Sequence, residues 1–314
     1  MKPETRSSTI KVWLPEPQSA ALMKGLPEGM TADVWSGGEQ LPDSAGEVQV
    51  VVLPPFGIPP ERMPVLAKLP RLRLIQLMSV GAEKVIPFVP PGVTLATARG
   101  ALSPAVAEWI TAVILAQARQ LPKFIAAQQA HHWDPARSES LAGQTALIVG
   151  YGSVGAAVEP LLVPLGLTVQ RIAERPSHGV SGPDSLPAAL ARADIVIMLT
   201  PVTPATRGMV DARFLGQMRD HALLVNAAHG PIVDTCALLA ELRSGRLRAA
   251  LDVTDPEPLP DSHPLWSAPG LLLTPHIAGL TTQTTQRDVA IVRDQLARYA
   301  AGEPLLNVVG KQGY

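Results

Sequence analysis

Six residues, Gly150-Tyr151-Gly152-Ser153-Val154-Gly155, constrain this chain more than any other stretch, because they stand between an apolar run, 146–149, and a helical pattern over 156–165. Strand, glycine-rich turn and helix in that order open a βαβ unit. Each glycine has its own reason to be there. The first permits the tight turn, the second lets the backbone approach a pyrophosphate, and the third lets helix and strand pack closely. The start of the helix adds unpaired N–H groups that attract phosphate oxygens. The motif predicts a parallel sheet with a dinucleotide at the carboxyl end of one strand.

The rest of the chain fits that frame. Apolar runs recur at 168–172, 195–199, 223–226, 249–251 and 271–273, most of them separated by helical patterns, which extends the motif into a doubly wound sheet. Upstream, β-branched runs at 9–14, 48–53, 72–77 and 93–96 alternate with Pro- and Gly-rich breaks. A helix is expected over 103–120, with Ser103 as N-cap and Pro104 at its first position. A last amphipathic helix, 281–301, puts Val289, Val292, Leu296 and Tyr299 on one face. At 314 residues the chain is long enough for two domains. The expected architecture is α/β, with two doubly wound parallel-sheet domains. A Rossmann dinucleotide-binding domain, 104–279, is inserted in a flavodoxin-like substrate domain made of 1–103 and 280–314.

Charge and cysteine content exclude several function classes. A net charge of -1 and the lack of a Lys/Arg cluster give nothing to grip a polyanion, so no nucleic-acid partner is expected. The most apolar long stretch, 145–169, carries glycines and Glu159 and reads as strand, turn and helix rather than a membrane span. Residues 1–14 hold no apolar run long enough for a signal sequence, and a cytoplasmic location is expected. The one cysteine, Cys236, excludes an internal disulfide and a Cys-rich metal site, so no metal is expected. Its apolar surroundings predict a small buried side chain.

The adenosine end of a dinucleotide is read at the tip of the second strand, where an acid about twenty residues after the glycines would hold the ribose 2′-OH of NAD. The sequence there runs Val169-Gln170-Arg171-Ile172-Ala173-Glu174-Arg175-Pro176, with Ala173 where the acid is expected. Without the acid a 2′-phosphate is not repelled, and Arg175 offers it a planar fork of donors. NADP is the preferred cofactor, and NAD remains possible through Glu174.

Three more stretches follow apolar runs of the same domain: 224–230 (LVNAAHG), 251–258 (LDVTDPEP) and 274–279 (TPHIAG). With GYGSVG and Thr200-Pro201-Val202-Thr203 they resemble the D-2-hydroxyacid dehydrogenase family, which includes phosphoglycerate dehydrogenases, glyoxylate and hydroxypyruvate reductases, and formate dehydrogenase. The resemblance covers nearly the whole chain. It implies hydride transfer between a nicotinamide and a small 2-oxo or 2-hydroxy acid of D configuration, in a cleft between domains, and a homodimer formed through the nucleotide domain. His276 would be the general acid/base, a task that suits imidazole because it titrates near neutral pH. Glu257 would orient the His276 ring, and Asp252 would hold the nicotinamide carboxamide. Further cofactor contacts would come from Thr200, Pro201, Asn226, Ala227 and Gly279. Backbone N–H groups of Val80 and Gly81, in Met78-Ser79-Val80-Gly81-Ala82, would receive the substrate carboxylate.

One position departs from the family pattern. His229 stands where the family's NxxRG stretch has an arginine that binds the substrate carboxylate and polarises its carbonyl. Guanidinium carries a permanent charge and a fork of donors, whereas imidazole offers at most two donors and a conditional charge. Three readings follow: His229 acts as a weaker cation, Arg99 substitutes for the missing arginine, or the chain binds its cofactor without catalysing. Formate oxidation is a weaker rival, since that chemistry needs no general acid and would leave His276 with Glu257 superfluous.

Overall fold

The computed structural model describes residues 9–310 apart from Phe56 and Glu83. The chain divides into two compact units, Met1–Leu102 with Thr281–Tyr314, and Ser103–Leu280. The extreme ends of the expected substrate domain, 1–8 and 311–314, lie outside the described residues.

The first unit holds β1 (Ile10–Leu14), β2 (Met30–Val34), β3 (Val48–Leu53), β4 (Leu74–Leu77) and β5 (Thr94–Ala96). All pair in parallel, in the order β2-β1-β3-β4-β5, the flavodoxin-like arrangement. Parallel strands covered on both faces become continuous apolar runs, as in β3, where five of six residues are buried. The edge strand β2, absent from the sequence expectation, buries only Met30 of its five residues and so has no such run. On one face of the sheet Val12, Leu14, Val50, Val52 and Leu74 pack against Val289, Val292 and Leu296 of the helix Thr282–Ala301. Val292 and Leu296 are fully buried, and each such aliphatic side chain stabilises by about 1.5–3 kcal/mol. Thr281 caps this helix by accepting from the Thr284 N–H at 3.2 Å, and Gly302, at φ 68°, ends it.

In the second unit lie β6 (Thr145–Val149), β7 (Thr168–Ile172), β8 (Ile195–Met198), β9 (Leu223–Asn226), β10 (Arg248–Leu251) and β11 (Leu271–Leu273), again all parallel. Their order is β11-β10-β9-β8-β6-β7. The chain leaves β6 for β7 on one side and returns to β8 on the other, so β6 lies at the point where the winding reverses, the place where open α/β sheets take their ligands. The order differs from the 3-2-1-4-5-6 arrangement of the common dinucleotide fold in having a single strand outside β6. Leu147, Val196 and Leu224 face one core with Leu238 and Leu242 of the helix Thr235–Arg243. The helices Ser103–Ala118 and Ser153–Leu162 pack against each other. Gln117 ties the end of the first helix to the sheet by donating to the carbonyls of Ala249 and Gly270 at 3.0 and 3.2 Å.

Cys236 corrects an expectation: it is exposed, not buried. Its helix turns Leu238, Leu239 and Leu242 to the core, and at 100° per residue that leaves position 236 on the outer side.

Candidate active site

Because every strand of the second unit runs the same way, the segments following β6, β8, β9, β10 and β11 gather at one edge of the sheet. The glycine loop after β6 is shaped by contact. Gly150 adopts φ +99°, and a Cβ there would stand 2.6 Å from the Leu199 backbone, which packs the loop against the start of the segment holding Thr200 and Pro201. A Cβ on Gly155 would meet Tyr151 at 3.0 Å and Ile148 at 3.2 Å. At Gly152 a Cβ would meet nothing within 4 Å, and the helix that follows, Ser153–Leu162, has no side-chain cap. Open space over the second glycine and an uncapped helix start fit a pyrophosphate. The Tyr151 side chain turns away from that space and donates its hydroxyl to Glu159 at 2.6 Å, so only its backbone is available to a phosphate.

At the tip of β7, Ala173 is half-buried and donates its N–H to the Ser181 carbonyl at 3.0 Å, while Glu174 and Arg175 are exposed. Neither side chain has a hydrogen-bond or ion-pair partner among the described residues.

The segments after β9, β10 and β11 are fastened to one another. Asn226, fully buried, donates from Nδ2 to the His229 carbonyl at 3.0 Å and accepts from the Ala228 N–H at 3.1 Å, which shapes the turn through Ala227. A Cβ on Gly230 would lie 1.8 Å from the Thr254 carbonyl oxygen, so only glycine fits between the two segments. Asp252 is 3 % exposed, and its carboxylate accepts from Thr274 Oγ1 at 2.5 Å and from the N–H groups of Ile277 and Ala278 at 2.8 Å each. Its carbonyl accepts from the His276 N–H at 2.7 Å. Asp252 therefore grips the turn that carries His276 and Gly279. Sequence reasoning missed this role and missed Thr274, whose only signal was its place directly after an apolar run.

His276 holds φ 57°, a left-handed conformation that is costly for a residue with a Cβ and that concentrates at functional sites. Its Nδ1 lies 2.6 Å from Glu257 Oε1, leaving Nε2 to face outward. Both side chains are well exposed, at 59 and 43 %, and an exposed pair adds little stability. The arrangement is suited instead to fixing the ring and its tautomer while the other nitrogen exchanges a proton.

In the first unit, Val80 and Gly81 follow β4, and neither N–H donates to a partner among the described residues. Ser79 is held by its carbonyl, which accepts from the Ala98 N–H at 2.9 Å. Arg99 is exposed and lines a cavity of about 280 Å³ with Thr97, Asp294 and Asn307, a cavity to which Val80 and Gly81 do not contribute.

Comparison with known proteins identifies the family. Residues 111–278 match the family model described as D-isomer specific 2-hydroxyacid dehydrogenase, NAD binding domain. A glyoxylate/hydroxypyruvate reductase A of Yersinia enterocolitica is 30% identical over 270 residues, 82% of this chain and 85% of that protein. A D-3-phosphoglycerate dehydrogenase of Methanocaldococcus jannaschii is 31% identical over 258 residues, 78% of this chain, which spans about half of that longer protein, 49%. A crystal structure of a D-isomer specific 2-hydroxyacid dehydrogenase from Xanthobacter autotrophicus Py2, in complex with NADPH and MES, superposes with a TM-score of 0.84 at 28% identity, covering 97% of this chain and 98% of that one.

Proposed function

The chain belongs to the D-isomer-specific 2-hydroxyacid dehydrogenase family, and from that premise we propose that it is a nicotinamide-dependent reductase of a small 2-oxo acid, with NADPH preferred to NADH. The observation that carries this reading is the contact between His276 Nδ1 and Glu257 Oε1 at the edge of the sheet where the glycine loop opens. A bound nicotinamide dinucleotide supplies the hydride. The chain's own part is to hold and move a proton. Glu257 accepts from Nδ1, and Nε2 of His276 gives its proton to the carbonyl oxygen as that oxygen gains charge. Asp252, Asn226, Ala227 and Gly279 frame the nicotinamide end, and Thr200, Pro201 and the glycine loop the phosphates. The N–H groups of Val80 and Gly81 take the substrate carboxylate, and His229 assists as a weaker cation in the family's arginine position.

NADPH is favoured by the small Ala173 at the tip of β7 beside the unpaired Arg175; the NADPH held by the Xanthobacter enzyme points the same way. A homodimer in the cytoplasm completes the proposal. The helix Leu121–Gln129 buries none of its residues and leaves Leu121 and Ile125 about half exposed, with Trp133 nearly bare nearby, which suits a subunit contact. No helix among the described residues is long and apolar enough to cross a membrane.

The test is oxidation of NADPH and NADH by the purified protein with glyoxylate, hydroxypyruvate and longer 2-oxo acids. Consumption above background with at least one acid is expected, and none with any acid would sink the proposal. A second reading, a nucleotide-binding regulator without turnover, is favoured by His229 alone, and it predicts tight cofactor binding with no consumption.

A further inference from the structure

Behind the glycine loop lies a side-chain cluster that the proton and hydride chemistry does not use. Glu159, on the helix Ser153–Leu162, is gripped in a two-point fork by Arg171 of β7: Nε donates to Oε2 at 2.6 Å and Nη2 donates to Oε1. Tyr151 donates its hydroxyl to the same carboxylate, and its ring lies beneath the guanidinium, 5.7 Å from ring centre to Cζ. The remaining arm of Arg171, Nη1, reaches across to the Gly179 carbonyl at 3.2 Å. One arginine thus joins the glycine loop, the helix and the segment that follows β7.

That segment carries the residues that distinguish the two cofactors. After β7 the chain passes through Ala173, Glu174 and Arg175 and turns back, so that Ser181 donates to the Arg171 carbonyl and Ala173 to the Ser181 carbonyl, both at 3.0 Å. Arg171 holds the returning end of this excursion at two points, Gly179 through its side chain and Ser181 through its carbonyl. The hydrogen bonds from Arg171 keep the Glu159 carboxyl below the usual carboxylate range, and the bond to Glu159 raises the Tyr151 phenol. The cluster therefore stays a charged pair with a neutral phenol at physiological pH. Glu159 is 15 % exposed, so this pair is better shielded from solvent than an ordinary surface contact. Two arginines stand four residues apart here, but Arg171 is engaged at all three of its nitrogens, whereas Arg175 has no partner among the described residues.

We propose that the Glu159–Arg171 pair is a cofactor-specificity device: Arg171 is a positioning residue that tethers the 173–181 segment, so that Arg175, which has no ion-pair partner among the described residues, is held ready for a 2′-phosphate. This rests on the reading of Arg175 as the phosphate-binding residue. A segment already held pays less ordering entropy when the phosphate arrives, and that gain is realised with NADPH and not with NADH.

The experiment is fluorescence titration of NADPH and NADH against the full-length wild type, Arg175→Ala, Glu159→Gln, Arg171→Lys and the double variant Arg175→Ala/Glu159→Gln. Arg175→Ala should weaken NADPH about tenfold or more, the effect of losing hydrogen bonds to a charged group, with NADH within about twofold. Glu159→Gln and Arg171→Lys should each weaken NADPH about three- to tenfold, with NADH again nearly unchanged, and the double variant should be no worse than Arg175→Ala alone. If Arg175→Ala leaves NADPH binding intact, the reading of Arg175 is wrong. If it behaves as expected but Glu159→Gln keeps the wild-type NADPH:NADH ratio, weakens both cofactors equally, or tightens NADPH because a released Arg171 binds the phosphate, the tether is wrong. Should Glu159→Gln fail to fold, Arg171→Lys, which keeps the charge but loses the fork, decides the matter by the same ratio.

Discussion

At the β6 end of the second sheet, side-chain identity is dictated by contact, since the backbone of Leu199 leaves no room for a Cβ on Gly150, and one on Gly155 would crowd the ring of Tyr151. At the β9 end the backbone is held as tightly, by the Asn226 amide and by the Thr254 carbonyl against Gly230, yet the residue between them, His229, is not the arginine of the family pattern. The backbone at the β9 end is held without dictating which side chain position 229 projects. On the reading proposed above, fold and chemistry are separable at position 229 and inseparable at position 150.

The largest expected effect breaks the chemical end alone. His276→Ala should lower kcat by on the order of 10² to 10⁴, the usual contribution of a positioned acid/base, while NADPH affinity measured by fluorescence stays within about twofold. An equal loss of cofactor binding would mean that His276 supports the fold of the edge. The converse is Gly150→Ala, which forces a Cβ into the Leu199 backbone at a φ reserved for glycine. Cofactor affinity should fall about tenfold or more and the melting temperature should drop with it. Cofactor affinity and melting temperature near the wild-type values would show that the loop is more yielding than its contacts indicate.

How much of this was legible in the sequence follows from the same contrast. The six strands of the second sheet appear in the sequence within a residue of their observed limits; the four central ones do so because parallel strands covered on both faces are nearly continuous apolar runs. The edge strand Met30–Val34 was not legible, since one buried residue makes no pattern. Cys236 misled because an apolar neighbourhood along the chain says nothing of which helix face a residue occupies. The glycine loop and the pair of His276 with Glu257 stood out through ordered motifs. The grip of Asp252 on Thr274, Ile277 and Ala278 did not, because it joins positions more than twenty residues apart, two of them through main-chain N–H groups that carry no sequence signal. The fork between Glu159 and Arg171 was hidden because its two side chains stand on different elements, a helix and a strand, twelve residues apart, and no motif links them.

Asp252→Asn sharpens the comparison at an intermediate scale. An amide cannot accept from two N–H groups and a hydroxyl as the carboxylate does, and hydrogen bonds to charged groups are worth about 1.5–3 kcal/mol. The melting temperature should fall by several degrees, at about 2–4 °C for each kcal/mol, and kcat should fall with it as the His276 turn loosens. Loss of cofactor affinity with kcat at saturation unchanged would instead favour Asp252 as a carboxamide holder only.

The control stands in the other unit. Asp288, 3 % exposed on the helix Thr282–Ala301, has no partner for Oδ1 among the described residues, and burial pushes its carboxyl up to about 7. The unfolded chain loses this proton near the ordinary value of 3.8, while the fold keeps it to about 7. The unfolded state then binds fewer protons through that window, so stability falls as pH rises through it and levels off above it. Asp288→Asn should flatten this slope, raising the melting temperature at pH 8 and leaving it nearly unchanged at pH 4. A slope unchanged by the substitution would assign the pH dependence to other groups.

The central claim, a working reductase whose catalytic frame is intact around a substituted position, is tested most directly by 2-oxo acid reduction with NADPH, wild type beside His229→Arg. The account predicts measurable turnover by the wild type and a rise in kcat/KM on the order of 10² to 10³ when the guanidinium is restored, the scale of a comparable electrostatic donor. No turnover in either protein, with NADPH shown to be bound, would contradict it.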